Sequence, residues 1–240
     1  MAIYSEDYFD GAQKDGYADY LGSEPILRRE FQGALRSLGK AGRTGGKLFE
    51  IGSAYGFFLA EARNHFAVSG IEVCEKAAAY CRDRGLDVDT GPITEQALAA
   101  RAPFDVMAML DVIEHLTDPL GVLRLANRYL SPGGHLLITT GDWDSTLSRC
   151  MRSSWRLMTP PQHAFFFSKR TIRSILGRAG FRVVSITRPW KWVPIGLILF
   201  QLARIVGFRP TAIAVLSRYA MPVNLFDAMR VIAVKDGTAE

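Results

Sequence analysis

Between Lys47 and Ile138, short apolar runs alternate with stretches whose apolar residues recur every three or four positions. The runs predict strands at about 47–51, 67–72, 86–90, 104–110 and 134–139. The periodic stretches predict helices at about 56–65, 76–84, 94–101 and 119–130. Repeated strand–helix units of this kind build a parallel sheet with helices on both faces. Phe104 to Leu110 is the most continuous apolar run, as expected of a strand covered on both sides. Ser131-Pro132-Gly133-Gly134 reads as a break before the fifth strand.

The two flanks differ from this core. Residues 1–45 carry Tyr4, Tyr8, Phe9, Tyr17 and Tyr20, then the helical stripe Ile26, Phe31, Leu35, Leu38, and end in a glycine-rich linker, Gly39 to Gly46. They read as a helical cap, either a lid over a site or a packed cover, before a main domain of residues 46–240. Within that domain, 141–167 reads as an irregular substrate-side loop. Ser168 caps a helix over 169–179 that Gly180 stops. Sixth and seventh strands follow at 181–187 and 226–234. Between them, 189–224 is an apolar, basic insertion, read as two short helices split at Arg209-Pro210.

Composition adds three constraints. The 240 residues, 48% hydrophobic, provide ample core for one elaborated α/β domain. Three cysteines without a CxxC pair point to a reducing, cytoplasmic setting rather than a disulfide frame or zinc site, and the N-terminus has no signal-peptide pattern. The net charge of +5 is unevenly spread. Ser145 to Phe226 holds 13 of the 29 Lys and Arg and no Asp or Glu, leaving 16 basic residues against 24 acidic ones elsewhere. That asymmetry fits an anionic partner, or a solvated basic face that complements the acidic part of the chain. The apolar run from Ile195 to Phe200 is far short of the ~20 residues that cross a bilayer. Residues 189–218 read instead as a peripheral membrane contact, a cover for an apolar substrate, or a buried lid.

The chemistry centres on Lys47 to Leu59: strand, then Gly52-Ser53-Ala54-Tyr55-Gly56, then helix. Small residues let a ligand approach the backbone, and helix N–H groups face it. Glu72 closes the second apolar run 22 residues after Glu50, the distance at which an acidic residue holds a ribose diol. Read alone, such a turn could serve a dinucleotide, a phosphate or nothing.

Glu50 to Gly56 and Glu72 come first in a longer ordered set. Phe104-Asp105-Val106 runs through Leu110-Asp111-Val112-Ile113-Glu114-His115, and Leu130-Ser131-Pro132-Gly133-Gly134 follows. Pro160-Pro161-Gln162-His163, Phe166-Phe167-Ser168 and Ala179-Gly180-Phe181 come later still. In order and spacing these residues resemble the class I S-adenosylmethionine-dependent methyltransferases, most closely the bacterial small-molecule group related to ubiquinone-pathway O-methyltransferases. Ala54 departs from the glycine that many relatives have. The resemblance implies a Rossmann-like seven-stranded sheet whose last strand is antiparallel, and S-adenosylmethionine as cofactor. Glu50, Gly52, Ser53, Ala54, Tyr55 and Gly56 would form its cradle, Glu72 and Val73 would take the ribose, and Pro92 and Ile93 the adenine. Leu110 and Asp111 would approach the cofactor's ammonium group and the reaction centre.

The acceptor is expected to be a small molecule, anionic or lipid-linked, methylated at oxygen, with no nucleic acid involved. For a hydroxyl acceptor a proton must be removed. His163 suits that role by its ordinary pKa, or it fixes its loop; Asp111 is the second candidate. Asp111, Glu114 and His115 have the i, i+3, i+4 spacing that gathers ligands on one helical face, but no metal is assigned. His65 and His135 read as structural. Two other readings are a dinucleotide-dependent oxidoreductase, against which the turn is Gly-x-Ala-x-Gly, and a non-catalytic cofactor-binding module at a membrane surface.

Overall fold

The computed structural model describes residues 20–155, 157–194 and 220–236. Strands β1 (Lys47–Ile51), β2 (Ala67–Glu72), β3 (Asp87–Thr90), β4 (Phe104–Leu110) and β5 (Leu130–Gly141) pair in parallel. β6 (Phe181–Thr187) lies at the far edge and β9 (Ala228–Lys235) runs antiparallel between β5 and β6. The order is β3-β2-β1-β4-β5-β9-β6, so the chain reverses direction across the sheet between β1 and β4.

Alternation along the strands divides the core into two. On one face Leu48, Val106, Ala108, Leu137 and Ile232 pack under α1 (Glu24–Lys40), α2 (Phe57–Ala62) and α3 (Glu75–Asp83). On the other, Phe49, Met107, Met109, Leu136 and Val231 pack under α4 (Glu95–Ala99), α5 (Pro119–Tyr129) and α7 (Lys169–Arg178). Helix starts follow local chemistry. Asp118 accepts a hydrogen bond from the Gly121 N–H ahead of α5, and Ser168 and Thr171 form a reciprocal capping box on α7.

Four expectations are corrected. The break at Pro132-Gly133-Gly134 is a bulge inside β5, where pairing jumps from Phe104↔Leu130 to Val106↔His135. The stretch expected to be irregular contains α6 (Thr146–Met151), capped by Ser145, whose hydroxyl accepts from the Ser148 N–H. The last strand begins at Ala228 rather than Phe226, because Phe226 has φ +56° in a turn closed onto the Asn224 side chain. The insertion expected to be helical has strands at its ends, β7 (Lys191–Pro194) and β8 (Ala220–Val223), paired antiparallel as a separate two-stranded sheet. The expected helices between them, and residues 1–19 of the cap, lie outside the described residues. Among the described residues no helix is long and apolar enough to cross a membrane.

Candidate active site

The carboxyl ends of β1, β2, β4 and β5 meet under α1 and enclose a cavity of about 440 Å³. Its first corner is the turn after β1. The Gly52 and Ser53 N–H groups donate to the Ile71 carbonyl, which ties the turn to β2. Gly52 has φ +73°, and a Cβ there would lie 2.7 Å from a Val112 methyl, so only glycine fits. Ala54 holds a left-handed φ of +46° despite its methyl group, a strain the surrounding bonds must hold in place. Its N–H donates to Glu72 Oε2 at 2.7 Å, and the Cys74 N–H donates to Glu72 Oε1 at 2.9 Å. Glu72 therefore sets the turn as well as facing the cavity.

Glu50 stands beside it at 3% exposure, and its Oε2 has no hydrogen-bond partner among the described residues. Burial, with the Glu72 charge second, holds its carboxyl well above the usual range. Burial raises Glu72 too, opposed by its backbone N–H partners. The same two carboxylates, after burial itself, help push the Cys81 thiol up to about 12, so Cys81 is a packing residue.

Of the residues expected at the cofactor, Glu50, Gly52, Ser53 and Ala54 line the cavity, as do Glu72, Val73, Pro92, Ile93, Leu110 and Asp111. Tyr55 and Gly56 do not. Tyr55 is buried against Tyr20 and Tyr80, and Gly56 caps α2 with φ +72°.

Asp111 follows β4 with φ +55°, its N–H held by the Thr139 carbonyl and side chain. The Thr139 hydroxyl donates back to Asp111 Oδ1 at 3.0 Å. That kink takes Asp111 out of the short 3₁₀ turn Ile113–His115, so Asp111, Glu114 and His115 do not share a helical face. Instead Glu114, His115 and His163 come together, one ligand atom from each within 4.8 Å of the others, a set that could hold a metal ion.

His115 lines the cavity, whereas His163 is not among its lining residues. The rings meet edge to face with centroids 4.6 Å apart. His115 Nδ1 lies 2.8 Å from the Gln162 carbonyl, and His163 Nδ1 lies 2.7 Å from that of Leu157. A carbonyl only accepts, so both Nδ1 atoms carry the proton and Nε2 is the basic nitrogen of each ring. Burial, and secondarily His163, hold His115 down to about 4, so it is neutral near pH 7.

The cavity wall also holds side chains that the sequence reading did not place at a site, among them Leu27, Glu30 and Phe31 of α1, Thr139, and Arg230 of β9. Arg230 left a signal, being the one charge inside the apolar run Ala228–Val234.

A seven-stranded sheet with one reversed strand and a ligand cavity at its carboxyl edge is the architecture of the Rossmann-like methyltransferases. The model of a family described as a methyltransferase domain matches residues 25–186, and the chain belongs to that family. Solved structures with this fold include a methyltransferase of Haloferax volcanii in complex with the Trm112 activator (TM-score 0.65, 16% identity, 98% of this chain and 100% of that one). Magnesium protoporphyrin IX methyltransferase of Synechocystis, with bound S-adenosylhomocysteine, shares it too (TM-score 0.58, 14% identity, 96% and 97%). A ubiquinone biosynthesis O-methyltransferase of Caulobacter vibrioides is 38% identical over 129 residues, 50% of this chain and 49% of that protein. One of Pseudomonas aeruginosa is 34% identical over 108 residues, 42% and 47%. The chain thus spans about half the length of the curated relatives it matches. The dinucleotide-dependent reading has no support among these relatives.

The cofactor of such a domain is S-adenosylmethionine, and the residues present fit it. The Gly52–Ala54 turn lines the cavity with backbone and small side chains, and the Glu50 oxygen, without a partner among the described residues, suits a cationic ligand.

Proposed function

We propose that this protein transfers a methyl group from S-adenosylmethionine to an oxygen of a small-molecule acceptor. The observation that carries this is the continuity of the cavity, from the Glu50–Ala54 turn to Asp111 and His115. When bound, the cofactor supplies an electrophilic methyl group. The chain's task is to align donor and acceptor and to remove a proton. Glu50 and Asp111 offer negative charge to the cofactor's cationic parts, and Glu72 accepts from its ribose hydroxyls. His115, neutral and with Nε2 basic, takes the acceptor's proton, while His163 packs on its ring and positions it. Choice of oxygen rests on the resemblance to the O-methyltransferase relatives. A cytoplasmic setting and an anionic or lipid-linked acceptor complete the proposal.

Calorimetry against S-adenosylmethionine, S-adenosylhomocysteine and NAD tests the cofactor: both adenosyl ligands should bind and NAD should not. Absence of adenosyl binding sinks the reading. Methyl transfer to a panel of hydroxylated acceptors then tests the reaction. His115→Gln should lower turnover by roughly 10²–10⁴-fold with little change in cofactor affinity, the range for losing a general base. His163→Gln should fall less. The Glu114, His115 and His163 donors give a second reading, divalent-cation binding. If EDTA abolishes turnover and Mg²⁺ restores it, His115 is a ligand and not the base.

A further inference from the structure

Alternation on the α1 face puts Leu110, Thr139 and Arg230 in one row across the sheet, with Glu50 on the same face one step back, in register with Ala108. Leu110 and Thr139 follow Ala108 and Leu137 by two residues, and Arg230 precedes Ile232 by two. Registers Leu110↔Thr139 and Thr139↔Arg230 confirm the neighbours. The cavity runs along this face, with buried carboxylates at the β1–β2 end and a guanidinium at the β9 end.

Arg230 is 8% exposed. Nη1 donates to the Ser37 hydroxyl at 3.3 Å and Nη2 to the Glu30 carbonyl at 3.5 Å, both long bonds to neutral acceptors. Nε has no partner. Glu30 and Asp111 are near enough to raise its pKa, but among the described residues no ion pair joins Arg230 to a carboxylate. A second guanidinium worsens the balance. The point where a Gly33 Cβ would sit is 3.6 Å from Arg230 Nη1 and 3.7 Å from Arg36 Nη2. Burial lowers the Arg230 pKa and Arg36 lowers it further, yet an arginine stays charged. A buried cation with no direct ion pair among the described residues is costly, and an apolar residue would pack better beside Leu137 and Ile232.

We propose that Arg230 determines acceptor specificity by anchoring a carboxylate on the methyl acceptor. The inference rests on the methyl-transfer reading and narrows its substrate class. β9 is two strands from β4, roughly 10 Å between strand axes, and the arginine side chain reaches part of the way. An acceptor of about one aromatic ring spans the rest, its hydroxyl toward Asp111 and His115 and its carboxylate at Arg230. The planar guanidinium can meet that carboxylate through two parallel N–H donors. The cavity is then polarised to match its contents, negative where the cationic cofactor binds and positive where the acid binds.

The test uses the whole protein saturated with S-adenosylhomocysteine, with benzoate and its neutral isostere benzamide as probes. Benzoate should bind saturably, at least roughly tenfold more tightly than benzamide, as for loss of a charge-assisted hydrogen bond. Arg230→Met should abolish that preference and Arg230→Lys should keep part of it, both measured with S-adenosylhomocysteine held saturating because Arg230 also fastens α1. Independently of any variant, benzoate but not benzamide should shift the Arg230 Nε–H resonance. Equal binding of the two probes, no benzoate binding, or a preference that survives Arg230→Met overturns the anchor. Failure of the wild-type protein to bind S-adenosylhomocysteine overturns the methyl-transfer reading instead, so the two failures are distinct.

Discussion

Glu50 shows how one residue can serve binding at the expense of stability. Its folded pKa is raised above the usual 4.5, so its contribution is fully present below pH 4.5 and is lost as pH rises through the raised value. Glu50→Gln removes the loss. The variant should therefore be more stable than the parent at neutral pH, with the difference closing as pH falls toward 4.5, measured by urea denaturation across that range. Its affinity for S-adenosylmethionine should fall by roughly tenfold or more, as for losing a charge-assisted contact. A variant less stable than the parent at pH 7 would show that the carboxylate has a partner in the folded protein. Glu50 and Glu72 were legible in the sequence because strand, turn and acidic residue obey local spacing rules. His115, Thr139 and Arg230 join them only through pairing of β4, β5 and β9, which no spacing encodes. The i, i+3, i+4 reading failed because it assumed helix at Asp111, where φ is +55°.

At the scale of elements, the capping box at Ser168 and the stop at Gly180 fixed α7 as the sequence indicated. Gly177 is the weak point of that helix, since glycine loses the most backbone freedom on becoming helical. A Cβ there would meet nothing within 4 Å. Gly177→Ala should stabilise the protein by ~0.4–1 kcal/mol, read as a higher urea midpoint with unchanged slope. Binding of S-adenosylhomocysteine should not change, because α7 packs on the face opposite α1. Two of the misread elements show where local reading stops. α6 is six residues long, too short to show a period, and its Ser145 cap lies outside any apolar stripe. The bulge at Pro132-Gly133 has the composition of a turn, and pairing to β4 on both sides keeps it in the strand. At the bulge, tertiary pairing outweighs local propensity.

In the molecule as a whole, α1 ties cofactor binding to folding of the N-terminal side. Ala34 and Leu38 of α1 join the core, while Leu27, Glu30 and Phe31 form part of the cavity wall. The helix is fastened to α2 by Glu61, which accepts from Arg28 Nε and Gln32 Nε2, and to β9 by the Arg230 bonds to Glu30 and Ser37. A ligand that binds only when α1 is docked must also favour docking, by the same free energy. S-adenosylhomocysteine should therefore slow amide hydrogen exchange across residues 24–40 more than across α7. Glu61→Ala, which removes the fastening without touching the cavity lining, should speed exchange in α1 and weaken S-adenosylhomocysteine binding by roughly fivefold or more. Restoring α1 protection with saturating ligand would complete the linkage. Unchanged exchange in α1 on binding would mean the helix is a fixed wall. The polarity of the cavity would then be set by the sheet alone.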